Sequence, residues 1–107
     1  MPAVTRLTAW KFVKGTTNEQ KRQARGALLK LYSDLDRFVN HGPIGGKNIS
    51  RFNLHKDLDL AFTVEFKSAQ ARDEFDGHPL HDTVVVTKLR PFIADIFVFD
   101  LVKDQYE

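Results

Sequence analysis

The chain has 107 residues, 42% of them apolar, with nine phenylalanines and no cysteine. It suits one small domain (1–107) with its own core, and it excludes a disulfide scaffold, thiolate metal sites and cysteine nucleophiles. Its 16 basic and 14 acidic residues leave a net charge of +2 and are interspersed along the sequence, so no nucleic-acid partner is expected. No apolar run could span a bilayer and Met1 to Phe12 lacks a signal peptide's apolar stretch, so a cytoplasmic protein with no membrane partner is expected.

Val4 to Phe12 alternates, with Arg6, Thr8, Trp10 and Phe12 on one side and Thr5, Leu7, Ala9 and Lys11 on the other, the pattern of a first strand. Arg6 and Thr8 are an odd start for a core face. They fit either a wet strand end or the partly polar wall of a pocket. Thr17-Asn18-Glu19-Gln20 has the spacing of a capping box, and Ala24, Ala27, Leu28, Leu31, Leu35 and Phe38 follow as an amphipathic helix stripe. Lys21, Arg22 and Arg25 sit where the macrodipole disfavours cations and read as solvated surface. The glycines and proline of His41 to Gly46 predict a loop, with a short second strand from Lys47 to Phe52 and a turn over Asn53 to Asp57.

The clearest strand is Leu58 to Phe66, which sets Leu58, Leu60, Phe62, Val64 and Phe66 against Asp59, Ala61, Thr63 and Glu65. Ser68 can cap a helix that turns Ala71 and Phe75 inward and stops at Gly77. His78-Pro79 suits another helix start, although Thr83 to Thr87 is rich in β-branched residues. Ala94 to Leu101 reads as the last strand. The order β-α-β-β-α-β predicts an α+β, ferredoxin-like antiparallel sheet with helices on one face. An RNA-binding domain shares that order, but here its base-stacking positions would be Ala61 and Thr63, flanked by Asp59 and Glu65.

Several pieces in this order resemble the stress-responsive A/B barrel family of dimeric α+β barrels. They are Trp10-Lys11-Phe12, the leucine-rich helix, Gly45 to Ser50, Asp59-Leu60, Phe66-Lys67-Ser68, His78-Pro79-Leu80-His81 and Phe99-Asp100. The resemblance implies an irregular helix from about Leu80 to Leu89 and a homodimer closed through the sheet faces carrying Asp59, Ala61, Thr63 and Glu65. It also implies a cleft with His81 at its mouth. In a polyketide cyclase of the family, the matching histidine works with a tyrosine six residues earlier, a position filled here by Phe75. Two further pocket histidines of that enzyme fall on Arg6 and Leu60.

The catalytic candidates are therefore His81, as acid/base group, and Arg6, as electrostatic anchor for a carboxylate or enolate. Thr8, Trp10, Phe12, Leu60, Phe62, Phe75 and His78 are the expected substrate-contact residues, with His78 also suited to begin a helix. The His78 and His81 spacing has no obvious acidic partner, so neither metal nor cofactor is expected. Two functions stand: a cofactor-free cyclase, lyase or isomerase acting on a hydrophobic, polyketide-like carbonyl compound, or a non-catalytic, stress-associated ligand-binding homodimer.

Overall fold

The computed structural model describes residues 2–107. Four antiparallel strands, β1 (Val4–Phe12), β2 (Val39–Lys47), β3 (Leu60–Phe66) and β4 (Ile93–Leu101), form one sheet in the order β2-β3-β1-β4. With α1 (Asn18–Asp34), α2 (Ala69–Asp76) and α3 (Pro79–Val84) packed on one face, this is a ferredoxin-like α+β fold. Among the described residues no helix is long and apolar enough to cross a membrane.

Local chemistry sets the helix starts. The Thr17 hydroxyl accepts from the Gln20 amide while the Gln20 side chain accepts from the Thr17 amide, a complete capping box. Ser68 caps α2 through the Ala71 amide. In α3 the N-cap is His78, whose Nδ1 accepts from the Leu80 amide at 3.0 Å. The chain then runs through a π-helical turn, Val85–Leu89, and a 3₁₀ turn, Arg90–Phe92, before β4. The β-branched run is thus helical but irregular, as expected.

Alternation in β1 and β3 builds the core. Trp10, Phe62, Val64 and Phe66 pack against Leu28, Leu31, Tyr32, Leu35 and Phe75 of the helical layer. Large side chains so fully removed from water are worth about 1.5–3 kcal/mol each. Tyr32 belongs to this core, one helical turn beyond Leu28, although the expected stripe omitted it.

The second strand is corrected. It spans Val39–Lys47, taking in the segment expected to be a loop, whereas the expected strand Lys47 to Phe52 leads into an irregular connection to β3. An edge strand tolerates Pro43, and register shifts after Val39 and His41 absorb the misfit. Glycine is required at position 45, where a Cβ would collide with the Ala61 carbonyl oxygen and Phe62. β3 starts at Leu60 and not at Leu58; just before it, the Asp59 backbone still bonds to Trp10 and Asn48, and its Oδ2 accepts from the Phe12 amide at 2.8 Å.

Among the described residues no helix covers the other sheet face. Leu7, Ile44, Phe97 and Phe99 are exposed there. On β4, at the sheet edge, Ile96, Phe97, Val98 and Phe99 are each about half open to solvent, so both faces of that strand carry uncovered apolar surface.

Candidate active site

Between the helix face of β1 and β4, α1, and the turn after α3 lies a cavity of about 380 Å³. Arg6 and Thr8 of β1, Tyr32 of α1, His81 of α3, Arg90 and Asp95 supply its polar groups; Trp10, Leu28, Phe62, Val85 and Leu89 are among its apolar walls. The alternation of β1 turns Arg6, Thr8 and Trp10 to this side. The His78 cap, by fixing the first turn of α3, sets His81 against Phe75, ring centroids 5.2 Å apart and edge to face.

Arg6 is heavily engaged. Its Nη1 and Nη2 donate to the two carboxylate oxygens of Asp76 at 2.7 and 2.8 Å, and its Nε and Nη2 donate to those of Asp100 at 2.8 and 3.0 Å. Asp100 lies directly opposite Arg6 in the β1–β4 register and also meets Arg72 at 3.4 Å. Burial works against the charge on Arg6, but the hydrogen bonds and charges of both aspartates outweigh it and raise its pKa. The hydrogen bonds from Arg6 in turn hold Asp100 below the usual carboxylate range. Four of the five guanidinium N–H donors are spent on the protein's own carboxylates, which leaves Arg6 poorly placed to clamp a substrate carboxylate.

Tyr32 and His81 are tuned in opposite directions. Burial pushes the Tyr32 phenol up to about 12, only partly offset by the nearby Arg6, so it stays protonated and able to donate. Burial also lowers His81 below 6.5, with Asp76 pulling the other way and Arg6 adding to the depression, so the imidazole is neutral and able to accept a proton at neutral pH. The Asp76 carboxylate is 3.9 Å from His81 Nε2, beyond direct hydrogen bonding.

The expected contact residues divide into three groups. Thr8, Trp10 and Phe62 line the cavity with Arg6 and His81. Phe12 and Leu60 border a second cavity further along the sheet. Phe75 and His78 line neither, since Phe75 is buried against Tyr32 and Phe66 and the His78 ring is committed to capping. Tyr32 joins the site unforeseen, and its one available signal was the four-residue step from Leu28.

The profile of the Stress Responsive A/B Barrel Domain matches residues 4–103. The chain belongs to that family. No curated protein matches its sequence. Among solved structures, the Arabidopsis thaliana protein At3g17210 is similar over 97% of this chain and 98% of its own, at 21% identity and a TM-score of 0.85. A hydroxynitrile lyase from Passiflora edulis is similar over 99% and 98%, at 12% identity and a TM-score of 0.85. A dimeric ferredoxin-like protein from Thermobifida fusca covers 94% of this chain and 91% of its own, at 16% identity and a TM-score of 0.77. At these identities the likeness speaks for the stress-responsive A/B barrel fold.

Proposed function

We propose that this stress-responsive A/B barrel protein, acting as a single domain, is a cofactor-independent acid/base catalyst for hydrophobic carbonyl compounds, of the lyase, isomerase or cyclase type. The observation that carries this reading is the pairing of a neutral histidine and a protonated phenol in one cavity with apolar walls. For a β-hydroxy ketone, His81 would take the hydroxyl proton as the carbon–carbon bond breaks. The electron pair passes into the departing enolate, whose oxygen accepts a hydrogen bond from Tyr32, and the proton on His81 then returns to the enolate carbon. Ring closure is the same sequence in reverse. Arg6 acts here as a positioning residue, holding Asp76 beside His81 and lying near Tyr32. The Passiflora edulis enzyme, a hydroxynitrile lyase on a similar fold, supports a lyase within this range.

The test is incubation of the purified protein with mandelonitrile and with 4-hydroxy-4-phenylbutan-2-one, following benzaldehyde release. Release above the buffer rate that is lost in His81→Ala supports the reading. Release that is unchanged in His81→Ala, or absent with both substrates, would move the protein to the second reading, a non-catalytic ligand-binding protein. The feature favouring that alternative is the engagement of Arg6 by two aspartates, which spends four of its five donors on the protein itself.

A homodimer joined through the helix-free sheet face completes the proposal. Leu7, Ile44, Phe97 and Phe99 lie exposed on that face, and related structures include proteins described as dimeric. Sedimentation at micromolar concentration should give twice the chain mass, and Phe99→Glu should give the monomer.

A further inference from the structure

A second cavity, of about 1120 Å³, opens where the end of β1 and the start of β3 meet β2 and the beginning of α1. Its floor is apolar, formed by Trp10, Phe12, Leu28, Leu58, Leu60 and Phe62. Its border carries Lys11, Lys14, Lys21, Arg25 and Lys47 against only two carboxylates, Asp57 and Asp59, and Asp59 is already bonded to the Phe12 amide. None of the five cations is in an ion pair among the described residues.

This concentration of charge departs from the balance of the chain as a whole. The chain's net charge is +2, from 16 basic and 14 acidic residues. Once the five cations and two carboxylates of this cavity are set aside, acidic residues outnumber basic ones over the rest of the molecule. Four of the five fall between residues 11 and 25, from β1 through the turn into α1, and the fold adds Lys47 from the end of β2. The Lys21 ammonium stands 5.4 Å over the Phe12 ring, joining the cationic border to the aromatic floor.

We propose that this cavity is a binding site for amphipathic anions, compounds with a fatty or aromatic body and a carboxylate or phosphate head. The body packs on the exposed Val13 and Leu29 and the half-buried Leu58 and Leu60 that line the cavity, and the head meets cations that are in no ion pair among the described residues. A bare anion would leave those four side chains wet and a neutral lipid would leave the charges unused. The site is distinct from the His81 cavity, and the two share Trp10, Leu28 and Phe62 as a common wall.

Trp10 is the sole tryptophan, so its fluorescence reports binding in the full-length protein. The experiment titrates dodecanoate, dodecyl phosphate, dodecanol and inorganic phosphate, below micelle-forming concentrations, into the wild type, Lys14→Glu/Lys47→Glu and His81→Ala. Both dodecyl anions should bind, and their relative affinities identify the preferred head. Dodecanol and inorganic phosphate should each bind at least about tenfold more weakly. Charge reversal should weaken the dodecyl anions by about tenfold or more with thermal unfolding unchanged, and His81→Ala should leave their binding as it is. Amide NMR shifts on binding should centre on Gly15, Gly46 and Lys47. Equal affinity for dodecanol, indifference to charge reversal, shifts centred on Val85 and Leu89, or no binding by either anion would overturn the proposal.

Discussion

Tyr32 and Phe75 are stacked, with ring centroids 4.7 Å apart and planes inclined by 19°. His81 meets the same phenylalanine edge-on, so Phe75 is a rigid spacer touching both the phenol and the imidazole. A ring at position 75 therefore serves the site without a hydroxyl, because Tyr32 supplies one from α1. Tyr32→Phe keeps the stack and removes only that hydroxyl. Under the proposed chemistry it should lower kcat by about 10²-fold or more while shifting the melting temperature little. Turnover equal to wild type would remove Tyr32 from the mechanism.

The pH profile follows from the two opposed shifts. His81 must be neutral to accept a proton and its pKa lies below 6.5, so activity should be present above that pKa and lost as pH falls through it. Tyr32 remains protonated up to about pH 12 and contributes no fall before then. A kcat/KM profile measured between pH 4 and 9 should show one acid limb with its midpoint below 6.5. A midpoint above 6.5 would assign the limb to another group.

Phe75→Tyr, which would restore the family enzyme's tyrosine, should harm this protein. The ring is 1% exposed and wedged between Tyr32, Phe66 and His81, so an added hydroxyl has to be buried. An unsatisfied buried hydroxyl costs about 1–3 kcal/mol. Denaturant unfolding should register that loss, without a gain in activity.

Arg6→Met should be costly in a pH-dependent way. It strands Asp76 and leaves Asp100 only its 3.4 Å contact with Arg72, and a cost of about 2–3 kcal/mol is expected at pH 7, under the ~3–5 kcal/mol of a fully buried pair because both aspartates reach solvent. Asp100 has its folded pKa depressed below 3.8, so its contribution is complete above that value and disappears as pH falls through the folded pKa. The gap between wild type and variant should therefore narrow in acid, as urea unfolding at pH 7 and pH 3 would measure.

Local signals carried much of the fold, and long-range ones carried the site. The capping box at Thr17, the cap at Ser68 and the alternation of β1 and β3 each lie within a few residues of sequence and could be read directly. Gly42-Pro43 and Gly45-Gly46 misled because their turn chemistry is real, but the neighbouring strand overrides it: β3 approaches so closely at Phe62 that only glycine fits at 45. The clamp on Arg6 joins residues 70 and 94 positions away, which no local pattern announces. Tyr32 lies outside the expected stripe, because a tyrosine beside a run of leucines carries a polar group that does not mark it as core. Folding instead buries its ring beside Phe75.

The uncovered apolar surface on β4 also bears on how a newly made protomer behaves. From Ile96 to Phe99 an edge strand offers unsatisfied backbone groups and greasy side chains on both faces, the combination that templates fibrous growth in other proteins. Meeting a second copy competes in time with meeting a misfolded neighbour. Dilution slows both encounters, so the hazard would show best in a chain that cannot make the proposed pairing yet still bares Ile96 to Val98.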